Sequence, residues 1–104
     1  MWRVYYKRYP KWFKAHYKDS DDPVKRAAYY EVKMQQFPYW VRRKYVDEVA
    51  EELNYTYYTS LRDEGRVHYL VDEQGEIKFI STVYEEMKLW LYEKYLREGN
   101  VRKN

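Results

Sequence analysis

The chain has 104 residues, 45% of them hydrophobic and 36% charged, with a formal charge of +3 and no cysteine. That length makes one domain able to bury roughly two-thirds of its unfolded surface, and the richness in aromatic residues excludes a disordered chain. The missing cysteines exclude disulfides and thiolate metal sites and point to an intracellular protein.

No 18-residue apolar run occurs, so neither a membrane span nor a signal peptide is expected. Glu, Lys, Arg and Tyr are abundant while Asn and Gln total six, a balance found in proteins that work hot. The charge is unevenly spread. Residues 1–18 hold six basic side chains, seven aromatic ones and no acid, and the rest of the chain holds 14 basic and 17 acidic residues.

From Trp2 to Tyr9 the residues alternate, Trp2, Val4 and Tyr6 against Arg3, Tyr5, Lys7 and Tyr9, the period of a strand. After Pro10, Phe13, Ala15 and Tyr17 oppose Trp12, Lys14, His16 and Lys18, which predicts a hairpin turning at Pro10-Lys11. Its turn lacks the Asn-Gly or Asp-Gly that two-residue loops prefer. The rival is a helix over 10–18 that gathers Trp12, Phe13, His16 and Tyr17 on one side.

Asp22 and Pro23 form a helix entry, a capping carboxylate followed by a preset first dihedral. Ala27, Tyr30, Met34 and Phe37 recur at helical spacing until Pro38 ends or kinks the helix. A second helix is predicted from Val41, Tyr45, Val49 and Leu53, with Val46 and Ala50 widening its stripe. Two hairpins follow, at Asp63-Glu64-Gly65 and Asp72-Glu73-Gln74-Gly75. They join strands over 55–62, 66–72 and 76–81, with Val67, Tyr69, Val71, Ile77 and Phe79 facing inward. Thr82 to Glu85 reads as a capping box opening a last helix that closes at Gly99, and residues 99–104 as a frayed tail. Val83, Met87, Trp90, Leu91 and Tyr95 line one side of that helix, and Leu89, Tyr92 and Leu96 much of the other. So wide an apolar surface is either deeply buried or shared with a second copy through residues 82–98.

The predicted order is β-β-α-α-β-β-β-α, a single α+β domain over 1–104 with helices packed on one face of a mostly antiparallel sheet. On the N-terminal hairpin, Arg3, Tyr5, Lys7, Tyr9, Trp12, Lys14 and Lys18 would share a face with His16. Rings stack on unpaired bases while cations neutralise phosphates, so the expected partner is single-stranded DNA or RNA, bound with little sequence preference. The bland counterpart is an edge hairpin kept soluble by its charges.

Arg42, Arg43 and Lys44 near the start of the second helix, with Asp47, Glu48, Glu51 and Glu52 near its end, oppose the helix macrodipole. They make a second candidate contact, unless they merely pair at four-residue spacing. The competing function is a protein-interaction module, an inhibitor or assembly subunit, using the same Tyr/Trp/Arg surface.

An enzyme ranks third. Asp72 followed by Glu76-Ile77-Lys78 resembles the acidic pair and lysine of restriction-type nucleases, a likeness that implies Mg²⁺ held by carboxylates and an attacking water supported by Lys78. Pairing within the loop explains the same residues. His16 and His68 are the only histidines, without partners at metal-ligand spacing, and no glycine-rich phosphate loop or nucleophile elbow occurs. No cofactor, metal or catalytic residue is assigned.

Overall fold

A computed structural model describes residues 7–63 and 65–99 of the chain. Pro10 stands at the first position of a short helix, α1 (Pro10–Phe13), which widens into a π-helical turn, π1 (Lys14–Lys18). The second arm of the expected hairpin is therefore helical. Proline presets a helical dihedral and no turn-forming pair stands beside it. Helical spacing also lets Phe13 and Tyr17 stack at 4.6 Å, with Phe13 docked on Tyr29 at 5.6 Å. Residues 1–6, most of the first expected strand, lie outside the described residues.

Asp22 caps α2 (Pro23–Met34) as its sequence predicts, its Oδ1 accepting from the Val24 amide at 3.0 Å. The segment expected to be one helix over 41–53 is two, α3 (Tyr39–Arg42) and α4 (Val46–Glu52). Tyr45 between them is extended and 81% exposed, not part of the apolar stripe that Val41, Val46, Val49, Ala50 and Leu53 complete. The break reverses the electrostatic anomaly: Arg42 lies in the last turn of α3, and Asp47 and Glu48 lie in the first turn of α4, each at the helix end its charge favours. Glu48 also accepts from the Tyr45 amide at 3.3 Å. From the core, the Tyr92 hydroxyl donates to the Lys44 carbonyl, satisfying backbone the break leaves free.

Strands β1 (Thr56–Arg62), β2 (Gly65–Val71) and β3 (Ile77–Ser81) form an antiparallel sheet in that order. Gly75 turns the second hairpin with φ +84°. Tyr57 pairs with Leu70 and Leu70 with Phe79, and this face packs on the core. Tyr58, Tyr69 and Ile80 are paired on the opposite face. Thus Phe79 faces the core as expected. Tyr69 and Val71 do not; Val67, on their face of the strand and outside the helix-side cluster, is nevertheless buried at 5%, and Ile77, at the strand end beside a bulge, is 52% exposed. Both faces of β2 are apolar, so alternation leaves the inward face undetermined, and the helix layer selects Leu70 and His68.

Helix α5 (Tyr84–Lys94) continues into a second π-helical turn, π2 (Tyr95–Gly99). No side chain of Thr82 caps it. Instead the Ser81 hydroxyl accepts from the Val83 amide at 2.9 Å and donates to Glu86. α5 packs between α2, α4 and the sheet, which buries Met87, Leu89, Leu91 and Tyr92 around its circumference. Its apolar girth is thus consumed within one chain. One hydrophobic cluster joins Phe13, the α2 to α4 residues, Leu70 and α5 in a slab 40 × 39 × 19 Å, a helix layer over one face of the sheet. No helix among the described residues is long and apolar enough to cross a membrane.

Candidate functional site

The N-terminal segment meets solvent along one side of α1 and π1. Phe13 is fully buried and Tyr17 half-buried, while Lys7, Tyr9, Trp12, Lys14 and His16 are exposed. Helical geometry adds Arg8 and Lys11, both exposed, which a strand pattern assigns to the core side or the turn. The signal that finds them is the spacing of Arg8, Lys11, Lys14 and Lys18, which recur at three or four residues.

Trp12, 45% exposed, lies against His16 with ring centroids 4.7 Å apart and against Tyr17 at 6.2 Å. Trp12 rests on the stack of buried Phe13 and half-buried Tyr17, which gives the platform a rigid base. Among the described residues, none of Lys7, Arg8, Lys11, Lys14 and Lys18 is in an ion pair. Arg3 and Tyr5 lie outside the described residues.

The second candidate is largely occupied. Lys44 pairs with Glu48 at 3.8 Å and Glu52 at 3.7 Å and sits over the Tyr95 ring. Arg42 donates through Nε to the Phe37 carbonyl at 3.0 Å and through Nη1 to Gln35, with its guanidinium over Tyr39, and so holds the α2–α3 corner. Arg43 alone is exposed. Tyr39 and Tyr45 nearby in sequence are 69% and 81% exposed.

The nuclease-like residues are committed to their own hairpin. Asp72 Oδ1 accepts from the amides of Gln74 and Glu76, both at 2.9 Å, while its Oδ2 lies 3.4 Å from Lys78, which also pairs with Glu76 at 3.6 Å. The Glu76 amide, above all, holds the Asp72 carboxyl below its usual range, and the Glu76 carboxylate raises the Lys78 ammonium. Among the described residues, no group of three or more His, Asp or Glu is placed to hold a metal ion.

His68 is buried on the helix-facing side of β2, with Nδ1 2.6 Å from the Tyr57 hydroxyl and its ring edge-on to Tyr84. Burial, helped by Arg66, lowers the His68 pKa, and burial raises Tyr57. Both shifts favour the neutral forms, and the two groups share a hydrogen bond whose direction follows the imidazole tautomer. No protein-family model matches this chain, and no curated protein or solved structure is significantly similar to it.

Proposed function

We propose that this chain is a non-enzymatic nucleic-acid-binding protein that grips single-stranded DNA or RNA along α1 and π1 with little sequence preference. The observation that carries the proposal is the exposed Trp12–His16 ring pair flanked by Lys7, Arg8, Lys11 and Lys14, which form no ion pair among the described residues. Lys44, Lys78 and Lys94, by contrast, each pair with nearby acids. A side chain already neutralised gains little from a phosphate, whereas a free one releases the counterions condensed on the strand. An aromatic face accepts any base, which makes the grip tolerant of sequence.

Fluorescence titration with labelled single strands between 50 and 200 mM salt tests this. Four phosphate contacts predict a log–log slope near −3 and a loss of roughly 50-fold over that range. A Trp12→Ala, Lys14→Ala variant loses one stacking contact, worth about 1 to 3 kcal/mol, and one charge. Unchanged affinity in the variant refutes the proposed site.

The second reading, a protein-interaction module, draws on the outer sheet face, where Tyr58 and Ile80 are about half exposed on either side of Tyr69. Binding to a protein partner that hardly changes with salt would favour it over the first.

A further inference from the structure

A cleft of about 260 Å³ lies between α2, α5 and β3, just beyond the end of the basic segment. Phe79 and Trp90, stacked on each other at 5.1 Å, form one side of its lining, and its rim carries Lys18, Lys33, Glu86 and Glu93. Below the roughly 300 to 1,000 Å³ of pockets that hold drug-sized ligands, this volume suits one ring system.

The rim charges are of both signs, yet among the described residues neither Lys18 nor Lys33 forms an ion pair with Glu86 or Glu93. The two carboxylates also differ. Glu86 is occupied on both oxygens, accepting from Tyr30 at 2.9 Å and from Ser81. Glu93 is exposed and has no such partners among the described residues.

We propose that this cleft takes a single base of the strand bound on α1 and π1, and that Glu93 makes guanine the preferred base. The inference rests on the function proposed above. Lys18 is the last cation of the basic segment and also lines the cleft, so a strand following the segment brings its next phosphate to Lys18 and its next base to the opening. The stacked Phe79–Trp90 pair supplies one apolar side against which the ring can lie. A carboxylate accepts hydrogen bonds only, and two at once when donors are adjacent. Guanine presents such a pair, N1–H and the 2-amino group. Thymine and uracil present one N–H between two carbonyls, whose lone pairs repel the carboxylate.

The test compares labelled oligonucleotides about 10 nucleotides long, one all thymidine and one with a single central guanosine, at one salt concentration. The expected result is a preference of about 5- to 10-fold for the guanosine strand, the low end for a bidentate contact at an exposed carboxylate. Glu93→Gln should abolish that preference, because the amide offers one acceptor and one donor where two acceptors are required. Asp21→Asn, which removes one negative charge at an exposed site away from the cleft, should retain it. Equal binding of the two strands by wild type, or a preference that survives Glu93→Gln, overturns the base pocket while leaving the α1–π1 grip intact. Failure of both strands to bind overturns the grip and the pocket together.

Discussion

Phe13→Ala probes whether the basic helix is a docked element of the domain or a loose appendage. The Phe13 side chain is fully buried, stacked on Tyr17 at 4.6 Å and on Tyr29 at 5.6 Å, inside the cluster that holds Leu91 and Tyr92. Truncating a buried phenylalanine costs about 3 to 5 kcal/mol, transfer and cavity together, and two stacked partners place this site toward the upper end. For a domain of this size that is a large share of a total of roughly 5 to 15 kcal/mol. The melting temperature should fall by roughly 12 to 40 °C.

Urea unfolding followed by circular dichroism measures the cost, and oligonucleotide titration of the still-folded variant measures the consequence. Affinity should fall although Phe13 touches no ligand, because Trp12 and Lys14 lose the base that orients them. Phe13→Leu keeps most of the volume and should cost less than about 1.5 kcal/mol. A Phe13→Ala protein within 1 kcal/mol of wild type, with unchanged slope in urea, would refute the docking and with it the rigid platform.

His68 makes stability pH-dependent with a definite sign. Its folded pKa is lowered by burial, so the unfolded chain binds more protons just below its ordinary value of about 6.5. Stability should be full above that pH and decline as pH falls through the folded pKa, and His68→Phe should flatten this part of the curve measured by urea unfolding at several pH values; an identical slope in the variant would rule out His68 as its source. Gly75→Ala should destabilise by roughly 1 to 2 kcal/mol through backbone strain alone, since φ is +84° and an added Cβ meets no atom within 4 Å. A neutral result in the same assay would mean the loop relaxes to a negative φ.

Glycines and the aspartate cap were legible in the sequence because each acts locally. Asp22 with Pro23, and Gly65 and Gly75 at their turns, do what their chemistry dictates within a few residues, so the three C-terminal strands and α2 fall close to their expected bounds. Failures came where two patterns fit equally. Phe13, Ala15 and Tyr17 satisfy a strand period, but Phe13 and Tyr17 also satisfy a helical one, and contact with Tyr29 in a distant helix decides between them. Val67, Tyr69 and Val71 against His68 and Leu70 pose the same ambiguity in β2, settled by α5. The break at Tyr45 was marked in advance by charges on the wrong side of a supposed continuous helix. Their order signals two helices. At the candidate site, the sequence located the cations and rings, but the strand period omitted Arg8 and Lys11.

The net charge of +3 conceals the property on which binding depends. Residues 1–18 carry +6, and the remaining chain carries three more acids than bases. In 0.15 M salt the Debye length is about 8 Å, whereas the molecule extends 40 Å. Acids beyond the Debye length are screened from a strand lying on α1, and others are engaged: Asp22, close in sequence to the basic segment, caps α2, and Glu48 and Glu52 pair with Lys44. The strand therefore meets the local cations at close to full strength. The salt slope should count those cations and not the net charge, so removing distant acids will leave it unchanged while removing Lys11 will reduce it by about 0.7.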